Sequence, residues 1–175
     1  MATTPTRLLT FEEFEQIPNP PGGRYELHHG ELVEVRLPQY VHVRAQWRIR
    51  RLLENASDDV GVAEKEVPYR PLPEHECWGT DVVYMSKERW ESIDKYLSGV
   101  PELVIEILSP SNTAAEMLDK RNVCLENGGR EFWVVDPKHR QVEVSTPDGH
   151  TITYRPGQAI PLFFGGRIAV DAIFA

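Results

Sequence analysis

The residues with the most chemical potential are acids set in apolar surroundings. Leu103-Val104-Ile105-Glu106-Ile107-Leu108 is a near-continuous apolar run with one carboxylate inside it. A run of this kind reads as a strand covered on both faces. A carboxylate there is costly unless it is paired, protonated or metal-bound, so Glu106 marks a site. Asp81 raises the same question, because Val82-Val83-Tyr84-Met85 follows it directly. Alone, Asp81 would be an ordinary residue at the start of a strand. On neighbouring strands, two such acids make a hard oxygen site suited to Mg²⁺ or Mn²⁺.

Other candidates carry a bland reading beside the chemical one. Glu26, His28 and Glu31 form an extended acidic cluster if a hairpin puts them on one face. Lys120 is a solvated helix residue if it pairs with Glu116 at i,i+4, a contact worth about 0.3–0.5 kcal/mol. Arg44, Arg48 and Arg51, with Arg50 and Trp47 nearby, are the densest basic patch in the chain. They read as a solvated helix face, or as a phosphate-positioning surface if the acids act on a phosphodiester. His75-Glu76-Cys77 lacks a partner at zinc spacing and reads as a loop. Gly22-Gly23 and Gly128-Gly129 lack a phosphate-loop frame, and no nucleophile elbow surrounds Ser109 or Ser111.

The elements that must position these groups follow from periodicity. Thr10 caps a short helix over Phe11–Phe14, with Glu13 reaching back. Arg24–His28 and Glu31–Arg36 alternate around His29-Gly30, which reads as a hairpin. From Tyr40 to Leu53 the period is helical, with Val41, Ala45, Ile49, Leu52 and Leu53 as its apolar stripe. Strands are expected over Gly61–Tyr69, Thr80–Met85 and Leu103–Leu108. A second helix is expected over Ala114–Glu126, with Thr113 and Glu116 as a capping box and Gly128-Gly129 as its stop. Phe132–Val135 is a further strand, Val142–Ser145 and Thr151–Tyr154 a second hairpin, and Ile160–Phe174 a closing strand and turn. The order predicts an α/β domain of mixed α+β character, with a mixed central sheet.

The 175 residues suit one domain over 1–175, and 41% hydrophobic content is enough for its own core. Lys plus Arg is 19 and Asp plus Glu is 27, hence 19 − 27 = −8. That balance excludes a protein whose whole surface coats nucleic acid or anionic membrane. Cys77 and Cys124 make no disulfide framework, so a reducing, cytoplasmic location is expected. Met1–Thr10 has no apolar leader core, and no stretch approaches the roughly 18–20 apolar residues of a membrane span.

Several segments together resemble the Uma-type restriction endonuclease family, a large bacterial group. Arg24-Tyr25-Glu26-Leu27-His28-His29-Gly30-Glu31 is similar to its opening "RYELxxGE". Thr80-Asp81-Val82-Val83-Tyr84-Met85-Ser86 resembles its "PDLxxVS" strand, and Leu103 through Ser111 its "LVVEVLSPS" strand. Lys120, followed by Gly128 through Pro137, resembles its "K…AGVxEYWxVDP" block. Leu9–Phe14 also fits, so the resemblance spans nearly the whole chain. The family belongs to the PD-(D/E)XK nuclease superfamily, which implies a restriction-endonuclease-like core of mixed sheet flanked by helices.

The resemblance implies that Asp81 and Glu106 bind the metal, joined by the backbone carbonyl of Ile107. Leu108 stands where the usual motif lysine would fall, so the lysine is expected from the following helix as Lys120. Glu26 would complete the site, with Glu31 and His42 as accessory residues. Thr80 replaces the motif proline, Cys124 a helix tyrosine, and Gly129-Arg130 the "VP" pair. The expected activity is Mg²⁺-dependent hydrolysis of DNA, with Arg44, Arg48 and Arg51 gripping the backbone. Cutting both strands with one domain would call for a homodimer. Two alternatives stay open: a non-catalytic nucleic-acid- or protein-binding module of the same fold, and a two-carboxylate glycosidase, which accounts for neither Lys120 nor the arginines.

Overall fold

The computed structural model describes residues 7–110 and 112–175. Most of the Met1–Thr10 leader reading, and Ser111, lie outside the described residues. In chain order the elements are α1 (Phe11–Phe14), β1 (Gly23–His28), β2 (Glu31–Arg36), α2 (Tyr40–Ala56), β3 (Gly61–Lys65), β4 (Tyr69–Arg70), β5 (Val82–Ser86), α3 (Lys87–Glu91), β6 (Leu97–Ser98) and β7 (Leu103–Ile107). They continue with α4 (Ala114–Glu126), β8 (Glu131–Asp136), β9 (Gln141–Ser145), β10 (Thr151–Tyr154), β11 (Ala159–Pro161), β12 (Arg167–Ala169) and α5 (Val170–Ile173).

Six strands form one mixed sheet in the order β10-β9-β8-β7-β5-β3. β7 runs parallel to β8, and the other neighbours are antiparallel. Every residue of the central β7 is buried, as its apolar run requires. Alternation sorts the side chains. Leu103, Ile105, Ile107, Tyr84 and Trp133 pack against Ile49 and Leu53 of α2 and against Ile160, Ile168 and Ile173 of the tail. Val104, Val83, Met85 and Phe132 face the other way, toward Tyr69, Trp78 and Cys124 of α4. By the same period of two, Glu106 falls on the α4 side. Cutting a fully buried ring such as Trp133 or Phe132 back to alanine would cost about 3–5 kcal/mol.

The helix ends follow local chemistry. Both capping boxes form, Thr10 with Glu13 and Thr113 with Glu116. α4 stops at Asn127, after which Gly128 takes φ +104°, a left-handed conformation that favours glycine. The first hairpin turns on His29 (φ 52°) and Gly30 (φ 77°), both left-handed as a tight two-residue turn demands. It stands as a separate two-stranded sheet, linked to the body by the Leu27–Cys77 bridge.

The strand expected over Gly61–Tyr69 is two pieces. Glu66 adopts φ +54° and Pro68 has no N–H to donate, so β3 ends at Lys65 and Tyr69 pairs elsewhere, with β6 and Trp78. The tail folds as a small hairpin, β11 with β12, followed by α5. α3 and β6 are too short to leave a periodic signal in the sequence.

Candidate active site

The end of the sheet where β5 begins and β7 runs out collects the predicted acids. Asp81 lies one residue before β5 and is held from three directions. Its Oδ1 accepts from His42 Nε2 at 2.7 Å and Gln46 Nε2 at 2.9 Å, and its Oδ2 from the Ile107 N–H at 2.7 Å. The hydrogen bond to Asp81 raises the His42 pKa against the opposing effect of burial. Asp81 thereby fastens the N-terminal turns of α2 to the last residue of β7.

Glu106 is placed differently. Its Oε1 lies 2.7 Å from Lys120 Nζ in a buried ion pair, and that ammonium is the one positive group on this carboxylate among the described residues. Burial pushes the Glu106 carboxyl up to about 7, and the charges of Asp81 and Glu26 oppose the relief that Lys120 gives. Lys120 also donates to the Gly79 carbonyl at 2.7 Å. Burial works against its charge, but Glu106 and Glu26 outweigh burial and raise its pKa. The pairing of Lys120 with Glu116 does not form: Glu116 is occupied by its cap partner Thr113, and Lys120 turns inward.

β1 delivers the third acid. Glu26 is buried, with Oε1 taken by Arg24 (Nη2 at 2.9 Å, Nε at 3.2 Å) and Oε2 by His28 Nε2 at 2.8 Å. Burial would raise its pKa, but the His28 hydrogen bond and the charges of Lys120 and Arg24 bring it down to about 2. Glu31 sits opposite His28 in the hairpin yet stays exposed, outside this network. The arginines also stay apart. Arg44, Arg48 and Arg51 lie roughly half a turn around α2 from His42 and Gln46. Arg48 donates to the Ile173 carbonyl, and Arg51 stacks over the Trp47 ring at 4.9 Å.

Four site residues escaped the sequence reading. Glu66 receives Arg24 Nη1 at 2.5 Å and Gln46 Nε2, closing a loop of contacts from Glu26 to Asp81. Gln46 could have been found, since it sits one turn after His42. Arg24 lies in a segment already singled out. Gly79 is required by close approach, because a Cβ there would lie 2.4 Å from Arg24 Nη2 and 2.5 Å from Glu26 Oε1.

The donors present fit a hard divalent ion. One carboxylate precedes β5 and the other lies in its neighbour β7, where it is buried with one ammonium beside it. Among the described residues no three His, Cys, Asp or Glu side chains form a ready-made cage. Mg²⁺ does not need one, since it keeps several waters and takes one or two carboxylates plus substrate phosphate.

A sequence-family model described as "Uma2: Putative restriction endonuclease" matches residues 11–168, the span that carries every one of these groups. The chain belongs to this family. No curated protein sequence matches it. Among solved structures it is similar to a crystal structure titled as a putative nuclease belonging to DUF820 from Anabaena variabilis. The TM-score is 0.82 at 20% identity, over 95% of this chain and 97% of that one. That likeness shows a shared fold: a restriction-endonuclease-like mixed sheet flanked by helices.

Two departures of this Uma2 chain from the family pattern are absorbed locally. The Thr80 hydroxyl, where the motif has proline, donates to the Ile105 carbonyl at 3.1 Å and ties the two acid-bearing strands together. Cys124, where the motif has tyrosine, meets the buried Tyr69 hydroxyl at 3.2 Å. Among the described residues no helix is long and apolar enough to cross a membrane.

Proposed function

We propose that this Uma2 chain is a metal-dependent DNA endonuclease that hydrolyses phosphodiester bonds. The observation that carries the reading is the buried Glu106–Lys120 ion pair at 2.7 Å, at the strand end that Asp81 reaches through the Ile107 N–H. Family membership and the fold of a nuclease relative support it. Asp81 and Glu106, with the Ile107 carbonyl, would hold Mg²⁺ or Mn²⁺, which when bound polarises the scissile phosphate and lowers the pKa of a coordinated water.

The chain's own groups have separable roles. Lys120, whose charge Glu106 and Glu26 favour against burial, would stabilise charge gathering on the phosphoryl oxygens and orient or help deprotonate the attacking water. The Gly79 carbonyl fixes where that ammonium sits. His42, Gln46 and the Ile107 N–H hold the Asp81 carboxylate in one orientation. Glu26, held by Arg24 and His28 within its own strand, would act as a fixed negative charge near Lys120. Arg44 and Arg51 would contact flanking duplex, since their face of α2 points away from the scissile position.

A non-catalytic binding module is favoured by one observation, the full hydrogen bonding of Asp81 without any metal. The deciding experiment is cleavage of supercoiled plasmid with Mg²⁺ or Mn²⁺, beside EDTA and a Glu106→Ala protein. Metal-dependent nicking that vanishes in the variant supports the nuclease. A folded protein that neither cleaves DNA nor binds the ion by calorimetry leaves the module.

A further inference from the structure

We propose that the outer edge of β2 is a self-association surface that pairs antiparallel with a second copy of this chain, about a two-fold axis at Val35. Among the described residues β2 hydrogen-bonds only to β1, and five of its six residues are exposed. The Leu37 N–H donates back to the Gly22 carbonyl, so the odd-numbered residues of this stretch turn their backbone groups toward β1. Leu32, Glu34 and Arg36 therefore aim their N–H and C=O groups outward, with no strand beside them among the described residues. An open edge of this kind is a template for another strand.

Charge complementarity selects the occupant and its register. In an antiparallel pair, outward-directed residues must oppose outward-directed residues, so only every second register is available. An axis at Val33 would set Leu32 against Glu34. An axis at Glu34 would press two carboxylates together. An axis at Val35 sets Glu34 opposite the partner's Arg36, and Arg36 opposite the partner's Glu34, giving two opposite-charge pairs. It also sets Val33 opposite the partner's Leu37, and Pro38, which has no N–H, ends the ladder. The apolar rim continues beyond the strand: Leu37, Tyr40 and Val41 are 69%, 84% and 71% exposed. A short ladder plus this rim is a small interface of the size of transient complexes, so the dimer should depend on concentration. Glu26 lies on the strand behind β2, so the pairing sets two sites on either side of the axis. Only that consequence, cutting of both strands, rests on the nuclease reading.

The test is sedimentation velocity of the full chain from about 1 to about 200 µM. The expected result is a concentration-dependent dimer. Glu34→Arg or Arg36→Glu alone weakens it by about tenfold or more, and the double reversal restores it to within about threefold. As a second reading, Val35→Cys should cross-link to its own copy on mild oxidation. The two Cα atoms would be about 4.5 Å apart, within disulfide reach, and the native Cys77 and Cys124 are buried. A chain that stays monomeric throughout overturns the proposal. So does a dimer indifferent to both single reversals, a double reversal that fails to rescue, or a Leu32→Cys control that cross-links as readily as Val35→Cys.

Discussion

Two glutamates of this protein are buried to nearly the same degree, Glu26 at 5% exposure and Glu106 at 7%, yet they sit at opposite ends of the carboxylate range. Glu26 titrates at about 2 and Glu106 at about 7. Burial raises both. What separates them is the number of donors on each carboxylate. Glu26 has a guanidinium on one oxygen and an imidazole on the other, both within its own hairpin strand. Glu106 has one ammonium, and that ammonium is shared with the Gly79 carbonyl. Glu26 is fully paired within its own strand, whereas Glu106 is the carboxylate where a ligand gains most by arriving.

The comparison breaks first at Glu106. Under the nuclease reading, Glu106→Gln should lower plasmid nicking by about 10²–10³-fold. At pH 5 it should leave the urea midpoint nearly unchanged, because burial keeps the Glu106 carboxyl largely protonated there. Glu26→Gln should do the reverse. It removes the charge that Arg24 and His28 enclose, and should cost about 2 kcal/mol in urea unfolding. That figure is at the low end because Arg24 is a third exposed and keeps Glu66. Nicking should fall by less than about tenfold. Equal losses of activity in the two variants would erase the distinction.

The sequence made some of this legible and hid the rest for physical reasons. β7 and Glu106 were readable because a strand covered on both faces leaves an uninterrupted apolar run. α4 was readable to the residue because Thr113 and Glu116 form a capping box and Gly128 stops the helix. The same box hid Lys120. Its obvious partner Glu116 is spent on the cap, and nothing in a helical period says that a lysine so released turns inward. The family resemblance supplied that residue. Glu66 was invisible because its place depends on a left-handed backbone that ends β3, a conformation no neighbouring glycine advertises. The arginine patch was legible as a patch, but its side of α2 was not used, although helical spacing sets it opposite His42.

Gly79 joins the two glutamates, since its carbonyl holds Lys120 while its missing side chain leaves room for Arg24 and Glu26. Gly79→Ala should cost about 1–3 kcal/mol, as a methyl forced among packed groups does. If the comparison holds, Glu26→Ala should relieve part of that cost, because it removes the carboxylate oxygen that the added methyl would meet at 2.5 Å. Additive losses in a double-mutant cycle would show that the two sides of Gly79 are independent.

The smallest effect is the most diagnostic. Glu26 is depressed from 4.5 to about 2, so its stabilisation is present above pH 4.5 and is lost as pH falls through 2. Glu106 is raised from 4.5 to about 7, so its stabilisation is full below pH 4.5 and is lost as pH rises through 7. Melting temperatures of wild type and the two Gln variants should therefore diverge in opposite directions. Between pH 5 and pH 8, Glu106→Gln should gain on wild type, because glutamine keeps the neutral form that the pocket prefers. The deficit of Glu26→Gln should hold steady over that window and close only as pH drops from 4.5 toward 2. Parallel curves for Glu106→Gln and wild type would mean that Lys120 alone already offsets the burial of the Glu106 charge.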